Sequence, residues 1–131
     1  MQTPWGKSDD DGQSYGPGVT FYSTPGHGGF RVLARVRAQW PAALRDFPST
    51  ASGWYEEDCE WAIVVLAMPE RFSAEMQQQA ADNFNSTFRM IERAAGEADD
   101  NPPGYWARSL AQYRPVAEWL AAHTTPTGVS V

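Results

Sequence analysis

An α+β domain is the expectation for this chain: a small antiparallel β-hairpin or sheet near the N-terminus, packed against three or four helices. Three observations carry it. A β-branched and aromatic run, Val19-Thr20-Phe21-Tyr22-Ser23-Thr24, is followed by turn residues and a second short apolar run. From Met76 to Ala95 apolar residues recur at three and four positions, the spacing of one helical face. A chain of 131 residues, 42% of them hydrophobic, is also long enough to bury a core as one globular domain, 1–131.

Residues 1–17 are polar and glycine-rich, with Asp9, Asp10 and Asp11 in succession, and read as an extended arm anchored by Trp5. After the first strand, Pro25-Gly26-His27-Gly28-Gly29 is turn chemistry, expected to place two residues at positive φ while His27 caps a carbonyl or carboxylate. Phe30-Arg31-Val32-Leu33 then returns as the second strand of a hairpin. Ala34 to Trp40 is a short helical stretch that Pro41 ends, and residues 47–53 read as a loop. Next, Glu56, Glu57, Asp58 and Glu60 precede an unbroken apolar run from Trp61 to Met68. So short a run is compatible with a buried strand as well as a helix. A central helix over 55–68, closed by Pro69, is the expectation, because acids suit the positive end of a helix dipole and are costly in a buried strand. Ser73 is an N-cap for the stripe Met76, Ala80, Phe84, Phe88, Ile91 and Ala95. Gly96 and residues 99–104 break that helix. A last helix carries Trp106, Leu110, Tyr113, Trp119 and Leu120, with Pro115 kinking or splitting it, and 124–131 form a frayed tail.

Ten basic and sixteen acidic residues give a net charge of −6, which speaks against a domain-wide grip on nucleic acid. The charges are segregated. Residues 27–50 hold Arg31, Arg35, Arg37 and Arg45 against Asp46 alone, whereas 51–70 hold Glu56, Glu57, Asp58, Glu60 and Glu70 with no basic residue. Arg31, Arg35 and Arg45 form no simple helical stripe, so direct nucleic-acid contact through them is the weakest reading. A single cysteine excludes an internal disulfide, Met1 to Gly12 lacks an apolar signal core, and no apolar run reaches the ~18 residues of a membrane span. The expected compartment is cytoplasmic, with no membrane partner.

Two motifs are dense enough to carry a site. In the first, Ser23 to Phe30, three glycines surround His27; the loop can nest an anion but lacks the GK[ST] ending of a phosphate loop. The simpler reading is a structural turn. The second is Gly53-Trp54-Tyr55-Glu56-Glu57-Asp58-Cys59-Glu60-Trp61. A carboxylate beside an apolar run needs hydrogen-bond donors, and the economical donor is the glycine loop, so Asp58 or Glu57 is expected to accept from residues 26–29 or pair with His27. The sharper alternative makes His27, Asp58 and Cys59 a catalytic set, with a thiolate near a helix N-terminus and His27 as its base. Against it, a cysteine opening an apolar run is usually an inert packed thiol. One Cys, two distant His and no HExxH or CxxC spacing predict no metal and no cofactor. Acids clustered on one turn are more often a solvated face than a glycosidase pair.

Thr3-Pro4-Trp5-Gly6, Phe21-Tyr22-Ser23-Thr24, His27-Gly28-Gly29-Phe30 and Trp54 to Trp61 together resemble a small uncharacterised domain carried by phages, plasmids and integrative elements of proteobacteria. The resemblance covers about residues 3–70 and transfers no activity. It implies an accessory gene on a mobile element, a setting in which small acidic proteins counter host defence by occupying the basic surface of a nuclease or CRISPR complex. The leading expectation is therefore a non-enzymatic, anti-CRISPR or anti-restriction type inhibitor, monomer or homodimer. Its contacts would come from Glu56, Glu57 and Glu60, with Trp54, Tyr55, His27, Gly28 and Gly29 beside them. The alternative is a small enzyme or ligand-binding domain whose site is the His27 loop facing the Trp54–Trp61 segment.

Overall fold

The computed structural model describes residues 1–48, 53–57, 60–97 and 104–123. The chain divides into two compact units, Met1–Ala80 and Ala81–Val131.

The first unit is built on two antiparallel sheets. Strands β1 (Gln2–Thr3) and β2 (Gly6–Lys7) form a minimal hairpin, closed by the buried Thr3 hydroxyl donating to the Gly6 carbonyl at 2.6 Å. The main sheet runs in the order β3 (Gln13–Ser14), β4 (Val19–Ser23), β5 (Gly28–Val32), β6 (Trp54–Glu56). Its register sets Phe21 opposite Phe30 and Phe30 opposite Tyr55. Segment 1–17, expected as an extended arm, thus carries three short strands, and Trp5 anchors it by lying against Gly29 and meeting Trp54 edge-on at 5.8 Å.

Short helices α1 (Ala34–Arg37) and α2 (Ala42–Arg45) follow β5. Helix α3 (Trp61–Ala67) leads into a 3-10 turn at Pro69–Arg71. Ala62, Ile63, Val64, Val65 and Leu66 are all buried, so α3 is the central core element; Val19, Phe30, Val32, Leu44, Tyr55 and Phe72 are among the residues that pack with it in the core of this unit.

Two expectations for this unit are corrected. The helix placed over 55–68 begins only at Trp61; Trp54 to Glu56 is the fourth strand. Local acidity did not exclude a strand, because Tyr55 alone is fully buried while Glu57 falls beyond the strand end in solvent. Glu56 and Glu60 close the strand-to-helix turn instead: the Glu60 N–H donates to the Glu56 carbonyl (2.9 Å), and the Glu56 N–H donates to Glu60 Oε1 (3.0 Å). Nor do the loop glycines supply positive φ: Gly26, Gly28 and Gly29 all lie outside that region. The buried Thr24 shapes the turn, its N–H and hydroxyl both donating to the His27 carbonyl while its oxygen accepts the His27 N–H. Gly28 and Gly29 are needed for close approach, since a β-carbon at Gly29 would collide with the Trp5 ring and lie 2.5 Å from the Tyr55 carbonyl.

Helix α4 (Ala74–Ala95) starts in the first unit, where the Ser73 hydroxyl accepts the Met76 N–H at 3.1 Å as the expected cap. In the second unit it presents buried Phe84 and Ile91 from the expected stripe. Helix α5 (Tyr105–His123) buries Val116 and Leu120 and stacks Tyr113 on Phe84 at 5.5 Å. Pro115 does not split it. Both Pro115 and Ala111, whose carbonyl loses its donor, are exposed, so water can serve the freed oxygen. The tail expected at 124–131 lies outside the described residues.

Candidate functional site

The His27 loop and the Trp54–Trp61 segment do come together, through the pairing of β5 with β6. Gly29 stands opposite Glu56 in register, and the Glu57 N–H donates to the Gly28 carbonyl at 2.9 Å. His27 Nδ1 lies 3.7 Å from Glu56 Oε1, so among the described residues the carboxylate facing His27 is Glu56 rather than Glu57. The histidine side chain is 54% exposed and the glutamate 15%, which makes this a rim contact worth little by itself. Asp58 and Cys59, the other members of the alternative catalytic set, lie outside the described residues.

Of the expected acidic contacts, Glu60 is committed to the strand-to-helix turn through its carboxylate, Glu56 enters that turn through its backbone while its carboxylate faces His27, and Glu57 is exposed. The Glu57 carboxylate folds back over Gly28, so close that a β-carbon there would lie 2.9 Å from Oε2. Trp54 is half-buried on the opposite face of β6 from Tyr55, against Trp5 and Tyr22. Tyr55 is wholly buried against Trp40, with ring centroids 5.5 Å apart. Neither its hydroxyl nor Trp40 Nε1 makes a close, well-aligned hydrogen bond to a described residue, although the Arg37 guanidinium lies beside the hydroxyl. Burial pushes the phenol above its ordinary value of 10; the nearby Arg37 guanidinium opposes that shift and Glu60 adds to it.

Glu57 borders a groove that sequence reasoning did not assemble. Its walls are Gln13, Tyr15, Phe21, Phe30, Glu57, Trp61, Met76 and Gln79, enclosing about 310 Å3. The aromatic floor is ordered by mutual packing: Phe21 and Phe30 meet edge-on at 5.1 Å, and Phe30 meets Tyr15 the same way at 5.5 Å. Tyr15 in turn stacks on Phe72 at 4.9 Å. The groove takes residues from β3, β4, β5, α3 and α4, and only the cross-strand pair Phe21–Phe30 could have been read from a hairpin register. Among its described residues it offers aromatic and thioether surface, two amides and one carboxylate, a composition that suits an apolar or cationic group rather than an anion. Among the described residues no three His, Cys, Asp or Glu gather where they could hold a metal, and no helix is long and apolar enough to cross a membrane.

The chain belongs to the family described as Domain of unknown function (DUF7007), whose model matches residues 1–119. The match runs well past residues 3–70 and takes in most of α5, so the helical C-terminal half is part of the family domain. No match is found among curated proteins or among solved structures.

Proposed function

We propose that this domain is a non-enzymatic protein-binding inhibitor encoded on a phage, plasmid or other mobile element. It acts in the cytoplasm on the basic surface of a host defence nuclease or CRISPR complex. The observation that carries the reading is the groove with Glu57 at its edge. A partner's Arg or Lys would lay its apolar stem on Tyr15, Phe21 and Trp61 and present its charge to Glu57. The net charge of −6 favours encounter with a basic surface. Glu56 and Glu60 contribute by holding β6 and α3 in the geometry that presents Glu57 and Trp61.

The test is binding of the purified domain to a purified defence complex at low and moderate salt. Glu57→Lys should weaken association by about tenfold or more, while Glu97→Lys, an exposed reversal in the second unit, leaves it unchanged. Equal binding by wild type and Glu57→Lys overturns the proposal. A second reading is a small-molecule binding domain, favoured by the groove volume, which lies at the lower end of ligand pockets. It predicts a thermal shift with a small aromatic amine and no protein partner.

A further inference from the structure

On the same unit, a separate cleft is lined by Arg31, Val32, Leu33, Ala34, Arg37, Gly53 and Trp54 and encloses about 150 Å3. Among the described residues no carboxylate lines it. In a chain with sixteen acidic and ten basic residues, two arginines lining one small concavity with no acid among its described residues is an arrangement that an anion would relieve. From these features we infer that this cleft is a binding site for a phosphate dianion, either inorganic phosphate or the phosphate of a small monoester.

Both arginines are held in place by aromatic neighbours. Arg31 stands opposite Trp54 in the β5–β6 register, on the solvent face between buried Phe30 and Val32. Its guanidinium carbon lies 5.7 Å from the centroid of the Trp54 ring, which is braced edge-on by Trp5. Arg37 comes from the last position of α1, half-buried, with its guanidinium beside the buried Tyr55 hydroxyl. Pinning lowers the entropy lost when a guanidinium grips a ligand, and paired planar forks match the oxygens of a phosphate. Gly53, at φ +80°, gives the cleft its floor: its carbonyl accepts the Val32 N–H at 2.8 Å, and a β-carbon would sit 2.9 Å from the Val32 carbonyl.

Size selects among anions. A cleft of 150 Å3 admits a compact group and offers no track for a polymer backbone. Arg37 also borders the adjoining hollow with Arg45, but there Asp46 already neutralises Arg45 at 3.4 Å. Of these two hollows the doubly basic cleft, with no carboxylate among its described residues, is thus the one fitted to a dianion, and it is distinct from the groove beside Glu57.

Titration of the full chain with inorganic phosphate, and in parallel with phenyl phosphate and a short single-stranded oligonucleotide, tests this. The readouts are calorimetry and the NMR signals of the Arg31 and Arg37 side-chain Nε–H groups. Saturable phosphate binding that moves both signals is expected, weakened about tenfold by Arg31→Gln and by Arg37→Gln and unchanged by Arg108→Gln. Tighter phenyl phosphate binding identifies a monoester as the ligand, and equal binding identifies the free ion. Arg31 is exposed, so its variant stays folded and decides the matter even if Arg37→Gln unsettles Tyr55. Failure to saturate, loss with Arg108→Gln, or binding of the oligonucleotide alone each overturns the inference. None of these outcomes depends on whether the Glu57 groove binds a protein.

Discussion

The two units of this protein hold their shape in different ways. In residues 1–80 the sheet, the glycine loop and the aromatic cluster fit at van der Waals limits: Trp5 against Gly29, Glu57 over Gly28, Phe30 between Phe21 and Tyr15. In residues 81–131 order comes from helical periodicity, with Phe84, Ile91, Val116 and Leu120 buried among the described residues while Met90 and Tyr105 stay exposed. The lesson is that a tightly interlocked region is sensitive to added atoms, whereas a striped helical region is sensitive to removed ones. The groove and the cleft both sit on the interlocked unit, where preorganisation is available.

The sharpest way to break this comparison is Gly29→Ala. The added carbon meets the Trp5 ring and the Tyr55 carbonyl, and backbone cannot yield as a flexible side chain can. We expect a loss of about 3 kcal/mol or more in denaturant unfolding; a change near zero would show that the unit is loosely packed. In the second unit the informative change is a deletion. Val116→Ala removes two methyl groups from a fully buried position and should cost about 2 kcal/mol in the same measurement.

Tyr55→Phe should have the smallest effect near neutral pH. It removes a buried hydroxyl that has the Arg37 guanidinium beside it but no close, well-aligned hydrogen bond to a described residue, so stability should change by about 1 kcal/mol at most. Its pH dependence is more telling. Because the folded phenol titrates above 10, the unfolded chain ionises first, and the wild type should lose stability as pH rises past 10. Unfolding midpoints measured from pH 8 to above pH 10 should show that Tyr55→Phe is spared this share of the loss.

Much of the fold was legible in the residues. The Val19–Val32 hairpin, the short helix after Leu33, the Ser73 cap and the stripe of α4 follow from local chemistry, and Trp5 does anchor the N-terminal segment. The glycine loop was located correctly but for the wrong conformational reason, since its glycines serve contact rather than positive φ. Strand β6 was missed because three residues, Trp54-Tyr55-Glu56, have no period of their own; pairing with β5 makes them a strand. The site was legible only in part. That the His27 loop faces the Trp54–Trp61 segment was foreseeable, but the partner of His27 is Glu56, and Asp58 and Cys59 lie outside the described residues.

By itself, then, the sequence determined the α+β class, the acidic balance, the order of hairpin and helices, and the residues able to serve as turn, cap and core. These depend on spacing within a few residues, where propensity and periodicity act. Only the tertiary structure decided which carboxylate borders the groove, which aromatic rings share it and which arginines share a cleft. Glu56, Glu57 and Glu60 are alike in composition, and they part company when β6 pairs with β5 and α3 turns away from it. Residues as distant as Tyr15 and Met76, or Arg31 and Gly53, become neighbours through hydrogen bonds and packing that no local pattern encodes.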